Sequence, residues 1–542
     1  MFGQFPLFSA TGLAFALVIG LLIFFVKLYR HRMMFRKLPG PPHSFWFGHM
    51  PVLSKLRRET LPKDSHGQIW MDALRKKYNL GKVFYLDSWP LDRPIMVVLD
   101  PEIANIITTK KNLPKDPDLM RLIGPVLGPE SLVVQHGQRW KSLRMMFNPG
   151  FSPTHLMTLA PMIVDTTVIF YNVLRAHAEK GDIFLMDEAA VNYTIDIIGK
   201  VAMNVEFNAQ TTDNEVVGVF RTLLKWLPKP KRISPFNELH PKRIYILWKN
   251  VRYTNKYLGD LLESRFLSKN DRSSRSEERT VIDLALNSYL EMNPSAKESK
   301  TLDPRFKISA IDQLKSFLFA GHDTSGTMIA YAFHLLAKNP EARARMCKEL
   351  DEVLDPDMAL SAKEIKENPH ILNNLPYTTA VLKETLRLYP PASSMRTGSA
   401  KGDFVTDPET HAVYPTYGFR VWPVSHGMGR DPDLFPDPSS FRPERFLLDS
   451  PFAPRHKDAW RPFEKGPRNC IGQELAMLEG RIAMALTARY FGFKTAYPKV
   501  SEEERRKGAP LEVDGEQCYQ ILAGVAKPKA GMPCRVWKVK QR

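Results

Sequence analysis

The chain has 542 residues and a mass of 62.0 kDa, and its 44% hydrophobic and 25% charged residues exclude wholesale disorder. Its 76 Lys and Arg against 58 Asp and Glu leave a formal charge of +18, which points to an anionic partner: nucleic acid, a lipid surface or an acidic protein. Four cysteines (Cys347, Cys470, Cys518, Cys534) lack C-x-x-C spacing, which excludes a disulfide scaffold or a Cys-rich zinc module and fits a reducing compartment.

The amino terminus comes first. No charged side chain occurs from Met1 to Val26, and residues 12–26 hold no polar side chain at all. The mostly apolar stretch 5–26 spans about 33 Å as a helix, enough to cross a hydrocarbon core. Lys27, Arg30, Arg32, Arg36 and Lys37 follow, and this basic flank should stay cytosolic and put Met1 across the membrane. A cleavable signal peptide would need a basic start and a shorter apolar core, and a buried core helix would not carry this flank. Residues 1–37 therefore read as an anchor. Leu38-Pro39-Gly40-Pro41-Pro42 stops the helix, and Phe45-Trp46-Phe47-Gly48 adds interfacial aromatics. Residues 38–50 read as a stiff hinge, and residues 51–542 as one body.

In the body, residues 82–87 and 95–99 read as strands around a turn at Ser88-Trp89-Pro90. Trp140 and Arg144, spaced i,i+4, share one helix face. Helical patterns cover residues 156–178, 195–203, 244–267, 310–338 and 340–354. The polar runs 268–280 and 294–304 read as exposed loops. Asn192-Tyr193-Thr194 is a glycosylation sequon that the cytosolic placement leaves unmodified.

Inside the helix 310–338 lies Ala320-Gly321-His322-Asp323-Thr324-Ser325. The small residues leave room for a flat ligand, and the Thr324 hydroxyl can bond a preceding carbonyl and distort the helix. Asp323 and Thr324 together can relay protons. His322-Asp323 as a zinc pair lacks converging ligands such as H-E-x-x-H, so His322, like His136, His334 and His426, reads as a bystander. On the helical pattern 377–388, Glu384 and Arg387 are an i,i+3 pair, and Arg396 follows beyond Pro390-Pro391. The same E-x-x-R spacing recurs in the charge run 502–507, which reads as a surface loop. Residues 403–417 and 511–537 favour strands and turns.

Phe441-Arg442-Pro443-Glu444-Arg445-Phe446 precedes the strongest signal, Phe463-Glu464-Lys465-Gly466-Pro467-Arg468-Asn469-Cys470-Ile471-Gly472. This fits F-x-x-G-x-R-x-C-x-G, expected by chance on the order of 10⁻⁴ times in a chain of this size. Gly466 permits a tight bend, and Gly472 permits close backbone approach to a flat ligand or helix. A helix starting near Gln473 aims its positive end at Cys470 and favours a thiolate. Cys347, Cys518 and Cys534 lack such surroundings and read as structural.

In this order, the motifs resemble the cytochrome P-450 family of haem-thiolate monooxygenases. The resemblance runs from anchor to tail. It implies a mainly α fold with small β-sheets, behind one transmembrane helix. It implies haem b, with Cys470 as axial iron ligand and Phe463, Gly466 and Gly472 shaping its loop. Trp140, Arg144, Arg396 and Arg468 would hold the propionates. Asp323 and Thr324 would be catalytic, and Glu384, Arg387 and Arg445 would brace the cysteine loop. Electrons would come from NADPH through a separate NADPH–cytochrome P-450 reductase, because the chain has no Rossmann or flavin fingerprint. Cytochrome b5 is a further candidate partner. Arg139, Lys141 and Lys465 near the haem motifs could receive an acidic reductase. The implied location is the endoplasmic reticulum membrane, single-pass, with a lumenal amino terminus and a cytosolic body. Residues 112–135, 208–243 and those after Pro391, among them Phe220, Leu223, Trp226 and Met395, would line a pocket for a small lipophilic substrate. The overall style is closest to fungal secondary-metabolism members that oxidise polyketide or terpenoid intermediates. Two other readings stay open: an oxygen-independent rearranging enzyme of the same fold, against which Asp323-Thr324 argues, and a non-catalytic membrane protein binding haem or sterol. A nucleic-acid binder would need basic motifs with interleaved aromatics, which are absent from the sequence.

Overall fold

The 35-residue helix Pro304–Lys338 organises the body. Asp303 caps it by accepting from the Phe306 N–H at 2.9 Å, Pro304 takes the first turn, and Asn339-Pro340 ends it. It is buried on nearly every face, which suits a core helix rather than an amphipathic surface one. The computed structural model describes residues 10–227, 240–270, 280–299, 301–398, 400–499 and 510–539. The charge run 502–507, both additional E-x-x-R pairs, and parts of the runs 268–280 and 208–243 lie outside the described residues.

Helix Met186–Met203 packs along the long helix, and glycine sets how close they come. A Cβ on Gly326 would meet the Val191 side chain at 2.8 Å, and one on Gly321 would meet Ile198 at 3.2 Å. Gly321 therefore serves helix packing, where the sequence suggested room for a ligand. Helices Pro376–Leu388 and Gln473–Ala483 complete this core, with Met328 and Leu382 crowding Gly480. The sequon is inaccessible here, because Tyr193 and Thr194 are fully buried in Met186–Met203.

A four-stranded sheet joins two strands from residues 83–98 to two from residues 396–423. Val83–Leu86 and Ile95–Val98 pair antiparallel, Ile95–Val98 runs parallel to Arg420–Pro423, and Arg396–Thr397 closes the edge. This sheet brings Arg396 to a fully buried position. Small sheets elsewhere are Phe184–Leu185 with Pro533–Lys538 and Phe491–Thr495, the hairpin Gln520–Ala523/Val525–Pro528, and Phe404–Thr406 with Val413–Pro415. The fold is mainly helical with small sheets. Shorter helices such as Gly137–Phe147, Glu215–Lys225 and Val281–Met292 supplement the longer patterns seen in sequence, and Pro294–Glu298 adds a 3₁₀ turn where a loop was expected.

Helix Ala10–Phe35 contains one candidate membrane span, Gly12–Phe35, whose most apolar 18 residues have mean hydropathy 2.4 and little burial. Its last turns are packed against the body, where the sequence suggested only a basic cytosolic flank. Arg32 is fully buried, bonded to Asp87 and donating to the carbonyls of Phe45 (2.9 Å), Trp46 (3.2 Å) and Trp89 (2.8 Å). His31 and His43 also bond Asp87, each at 2.9 Å. The segment read as a hinge is tied down as well: the Tyr85 N–H donates to the Pro39 carbonyl at 2.8 Å, and His49 N–H to the Asp87 carbonyl at 2.9 Å. Proline stiffness was legible in the sequence, but the buried carboxylate that fastens the segment lies on another element.

Candidate active site

The cysteine loop is held from several sides. Cys470 N–H donates to the Phe463 carbonyl at 2.9 Å, and Asn469 N–H to Gly466 at 3.0 Å. Gly466 has φ +83°, and a Cβ there would meet the Thr108 carbonyl oxygen at 2.4 Å, so both backbone and space require glycine. Arg461 donates to Glu464 and to the Thr108 hydroxyl, and Phe463 packs edge-on to Trp460. Helix Gln473–Ala483 then begins, with Gly472 at its cap. The Cys470 side chain is exposed to solvent. Desolvation raises its thiol above the ordinary range and outweighs the Gly472 N–H, Arg144 and Lys115, which act in the opposite direction. A cleft of about 240 Å³ opens on Cys470, lined also by Arg144, Phe151, Asn469 and Glu474.

Trp140 and Arg144 divide their work. Arg144 grips the loop by donating from Nη1 to the Asn469 carbonyl at 2.8 Å and from Nη2 to Asn469 Oδ1 at 2.9 Å. Trp140 instead lies under the Arg468 guanidinium, 4.6 Å from ring centroid to carbon. The shared face inferred from i,i+4 spacing is real, but the neighbours that face it differ.

Arg468 and Arg396 keep donors in reserve. Arg468 gives one bond, from Nη2 to the Gln135 carbonyl, and buried Nη1 has no partner among the described residues. Arg396 donates from Nη1 to the Leu113 carbonyl at 3.1 Å, while buried Nε and Nη2 have none. Lys115 and His136 join this group. Burial, then Arg396 and Arg468, pull Lys115 down to about 7, and burial with the same cations lowers His136. Burial and Arg396 lower Arg468 to about 10. Such a cluster of cations, with orphaned buried donors, is a site built for carboxylates. Sequence reasoning did not reach Lys115, and it read His136 as a bystander. Neither has a diagnostic spacing, and an isolated bridge pairs Lys115 with Arg396 across distant parts of the chain.

Along the long helix, Ala320 and Thr324 are accessible among buried neighbours, and the Thr324 hydroxyl donates to the Ala320 carbonyl at 2.8 Å. Asp323 turns away from them, as adjacent helical positions must. It is buried, 2.5 Å from Lys527 on the hairpin, and Lys527 also reaches Asp187 at 3.5 Å. Asp323 and Thr324 are thus not in one line in this conformation. His322 packs internally, bonded to the Leu318 carbonyl. Phe220 and Leu223 are fully buried core residues, Phe220 with its ring 6.1 Å from His322. Met395 packs with the cluster beside the four-stranded sheet.

Glu384, Arg387 and Arg445 meet in the core with no exposed side-chain surface. Arg387 is bidentate to Glu384, with both contacts at 2.7 Å, and Arg445 Nε reaches Glu384 Oε1 at 3.2 Å. Their remaining donors go to carbonyls of Gly429, Pro436, Asp437, Pro438 and Ser440. The triad thereby fastens the segment leading to the cysteine loop.

A sequence model of the family described as Cytochrome P450 matches residues 38–511. The chain belongs to the cytochrome P450 family. It is 36% identical over 521 residues to cytochrome P450 monooxygenase polC of Polytolypa hystricis, covering 95% of this chain and 92% of that protein. Cytochrome P450 monooxygenase acrF of Aspergillus aculeatus is 36% identical over 498 residues, 88% of this chain and 98% of its own. Cytochrome P450 4X1 of Mus musculus is 27% identical over 521 residues, covering 90% and 91%. The protein is an enzyme of the P450 monooxygenase type, and a P450 works with haem iron. The residues present fit that group: a cysteine on a constrained loop for the metal, and unpartnered buried guanidinium donors for two carboxylates.

Proposed function

We propose that this P450 inserts one atom of O₂ into a small lipophilic substrate in fungal secondary metabolism, a polyketide or terpenoid, with electrons from NADPH delivered by a separate reductase. The observation that carries the reading is the pairing of Cys470, on a loop held by Gly466 and Arg144, with the unpartnered donors of Arg396 and Arg468. Cys470 would ligate the iron, and Arg396 and Arg468, with Lys115 and His136, would hold the carboxylates. When bound, haem supplies oxygen activation, which a thiolate ligand favours. Trp140 holds Arg468 in place, and Arg144 keeps the loop registered through Asn469. The Thr324 hydroxyl would position a proton on the accessible side of the helix. Asp323 would supply the next proton after exchanging Lys527 for a water bridge to Thr324.

We place the enzyme at the endoplasmic reticulum, with the amino terminus lumenal. The apolar helix and the exposed Trp46 and Phe47 beside it support membrane contact. Exposed Lys141 supports docking of an acidic reductase near the cysteine loop, whereas Arg139 is already paired with Glu130. The test is genetic and chemical together. Deleting the gene should make a lipophilic metabolite one oxygen atom lighter accumulate, and the wild-type allele should restore the product. Restoration by a Cys470→Ser allele, or an unchanged metabolite profile, would defeat the proposal.

A further inference from the structure

At the carboxyl end of the long helix a second chemical cluster forms, remote in sequence from the cysteine loop. His334 and Lys338 lie one turn apart on Pro304–Lys338, and Glu516 and Cys518 come from the segment entering the Gln520–Ala523 strand. Cys518 Sγ is 3.3 Å from His334 Nε2 and 3.8 Å from Glu516 Oε2, and those two atoms are 3.5 Å apart. Tetrahedral zinc, with bonds of about 2.3 Å to sulfur and about 2.0–2.2 Å to nitrogen and oxygen, sets its ligand atoms about 3.3–3.6 Å apart. The observed triangle has nearly those edges before any adjustment. His334 and Cys518 are buried, while the Glu516 side chain is 20% exposed and offers a path for an ion. Glu516 uses Oε1 for Lys338, which leaves Oε2 facing the other two. Among the described residues, this is the one group of three His, Cys or acidic side chains whose ligand atoms converge within 4.8 Å.

We propose that His334, Glu516 and Cys518 form a site for one zinc ion, or a similar borderline divalent cation, with water in the fourth position. His334 binds as neutral imidazole, Glu516 as carboxylate and Cys518 as thiolate, whose proton leaves to solvent, one for each ion bound. No oxidant or reductant is involved. The two anionic ligands balance the ion, and Lys338, half-exposed, is free to turn outward. The ion would pin the tail to the long helix just ahead of Lys527, the partner of Asp323. This reading does not depend on the haem proposal.

The experiment titrates full-length, haem-loaded protein in detergent, after chelator treatment, with Cd²⁺. Cadmium bound to thiolate reports itself by an ultraviolet charge-transfer band in the difference spectrum, and Zn²⁺ then competes it away. One equivalent should bind, releasing one proton, and the band should vanish in Cys518→Ser but persist in Cys347→Ser and Cys534→Ser. His334→Gln and Glu516→Gln should each weaken binding by at least about 100-fold, beyond the 10–100-fold typical of lost supporting residues. Lys338→Gln should bind no more weakly, because it removes a competing cation. The CO-bound Soret band checks that each variant is folded and that Cys470 stays on the iron. Absence of saturable one-to-one binding overturns the proposal. So does a band that survives Cys518→Ser, or unchanged affinity in the folded His334 and Glu516 variants.

Discussion

Among individual residues, Thr324 and Arg396 separate oxygen chemistry from cofactor holding. Thr324 bonds the Ala320 carbonyl on the accessible side of the helix, whereas Asp323 is engaged with Lys527. Thr324→Ala should keep the thiolate spectrum and still consume NADPH with reductase and substrate, but yield less product and more hydrogen peroxide per NADPH. General acid–base groups contribute about 10²–10⁴-fold, and water entering the space left by the methyl and hydroxyl will compensate in part, so the loss should fall at the lower end or below. Unchanged coupling at saturating substrate would defeat the relay. Arg396→Met acts on the other function. It deletes a buried cation with two unpartnered donors, close to Lys115 and Arg468. Haem-free protein should lose no stability, or gain some, while haem dissociates faster from the loaded protein. Thermal melts with and without haem check both halves, and equal destabilisation of both forms would mean that Arg396 only packs.

Among elements, the cysteine loop depends on Gly466 for its turn. A methyl group there is strained at φ +83° and meets the Thr108 carbonyl oxygen at 2.4 Å. Gly466→Ala should therefore lose the CO-bound thiolate Soret band, whereas Gly137→Ala, also at positive φ but with open space around it, should retain the band. Circular dichroism would show whether the helices survive in both. This loop was legible in the sequence because its five positions are local, and the bend at Gly466 has a physical reason that the structure bears out. The Glu384–Arg387 pair was legible by spacing within one helix. What stayed hidden was contact between distant elements. Lys527 comes from the tail to claim Asp323, Ile198 fills the space beside Gly321, and Lys115 meets Arg396 across a sheet edge. A motif states which side chains share an element, but the electrostatic state of each is set by whatever packs against it.

For the whole molecule, the question is where the membrane segment ends and the body begins. Basic residues after an apolar stretch suggest an anchor separable at residue 37, but Arg32 is fully buried on Asp87. Burial would push the Asp87 carboxyl up, yet bonds from His31, His43 and Arg32 outweigh it and hold the group well below the usual carboxylate range. Deleting residues 1–26 leaves this cluster intact, so that protein should leave the membrane, at least in part, with its stability and haem content unchanged. Deleting residues 1–36 strips Asp87 of two partners, and an uncompensated buried charge costs about 3–5 kcal/mol. The longer deletion should melt lower, and Asp87→Asn in the full chain should melt lower too. Acid should act in the same direction. The depressed carboxyl contributes stability that is complete above its unfolded pKa of about 4 and is lost as pH falls below it. His49 is lowered to about 4, first by burial and then by His43, so the unfolded chain binds that proton first and stability declines as pH falls from about 6.5 towards 4. Protease cleavage between Phe35 and Met50 should therefore rise below about pH 6.5 in the full chain. In the 1–36 deletion it should already be rapid at neutral pH. Equal melting of the two deletions at pH 7 would show that the Arg32–Asp87 junction contributes nothing and that the anchor is separable at residue 37 after all.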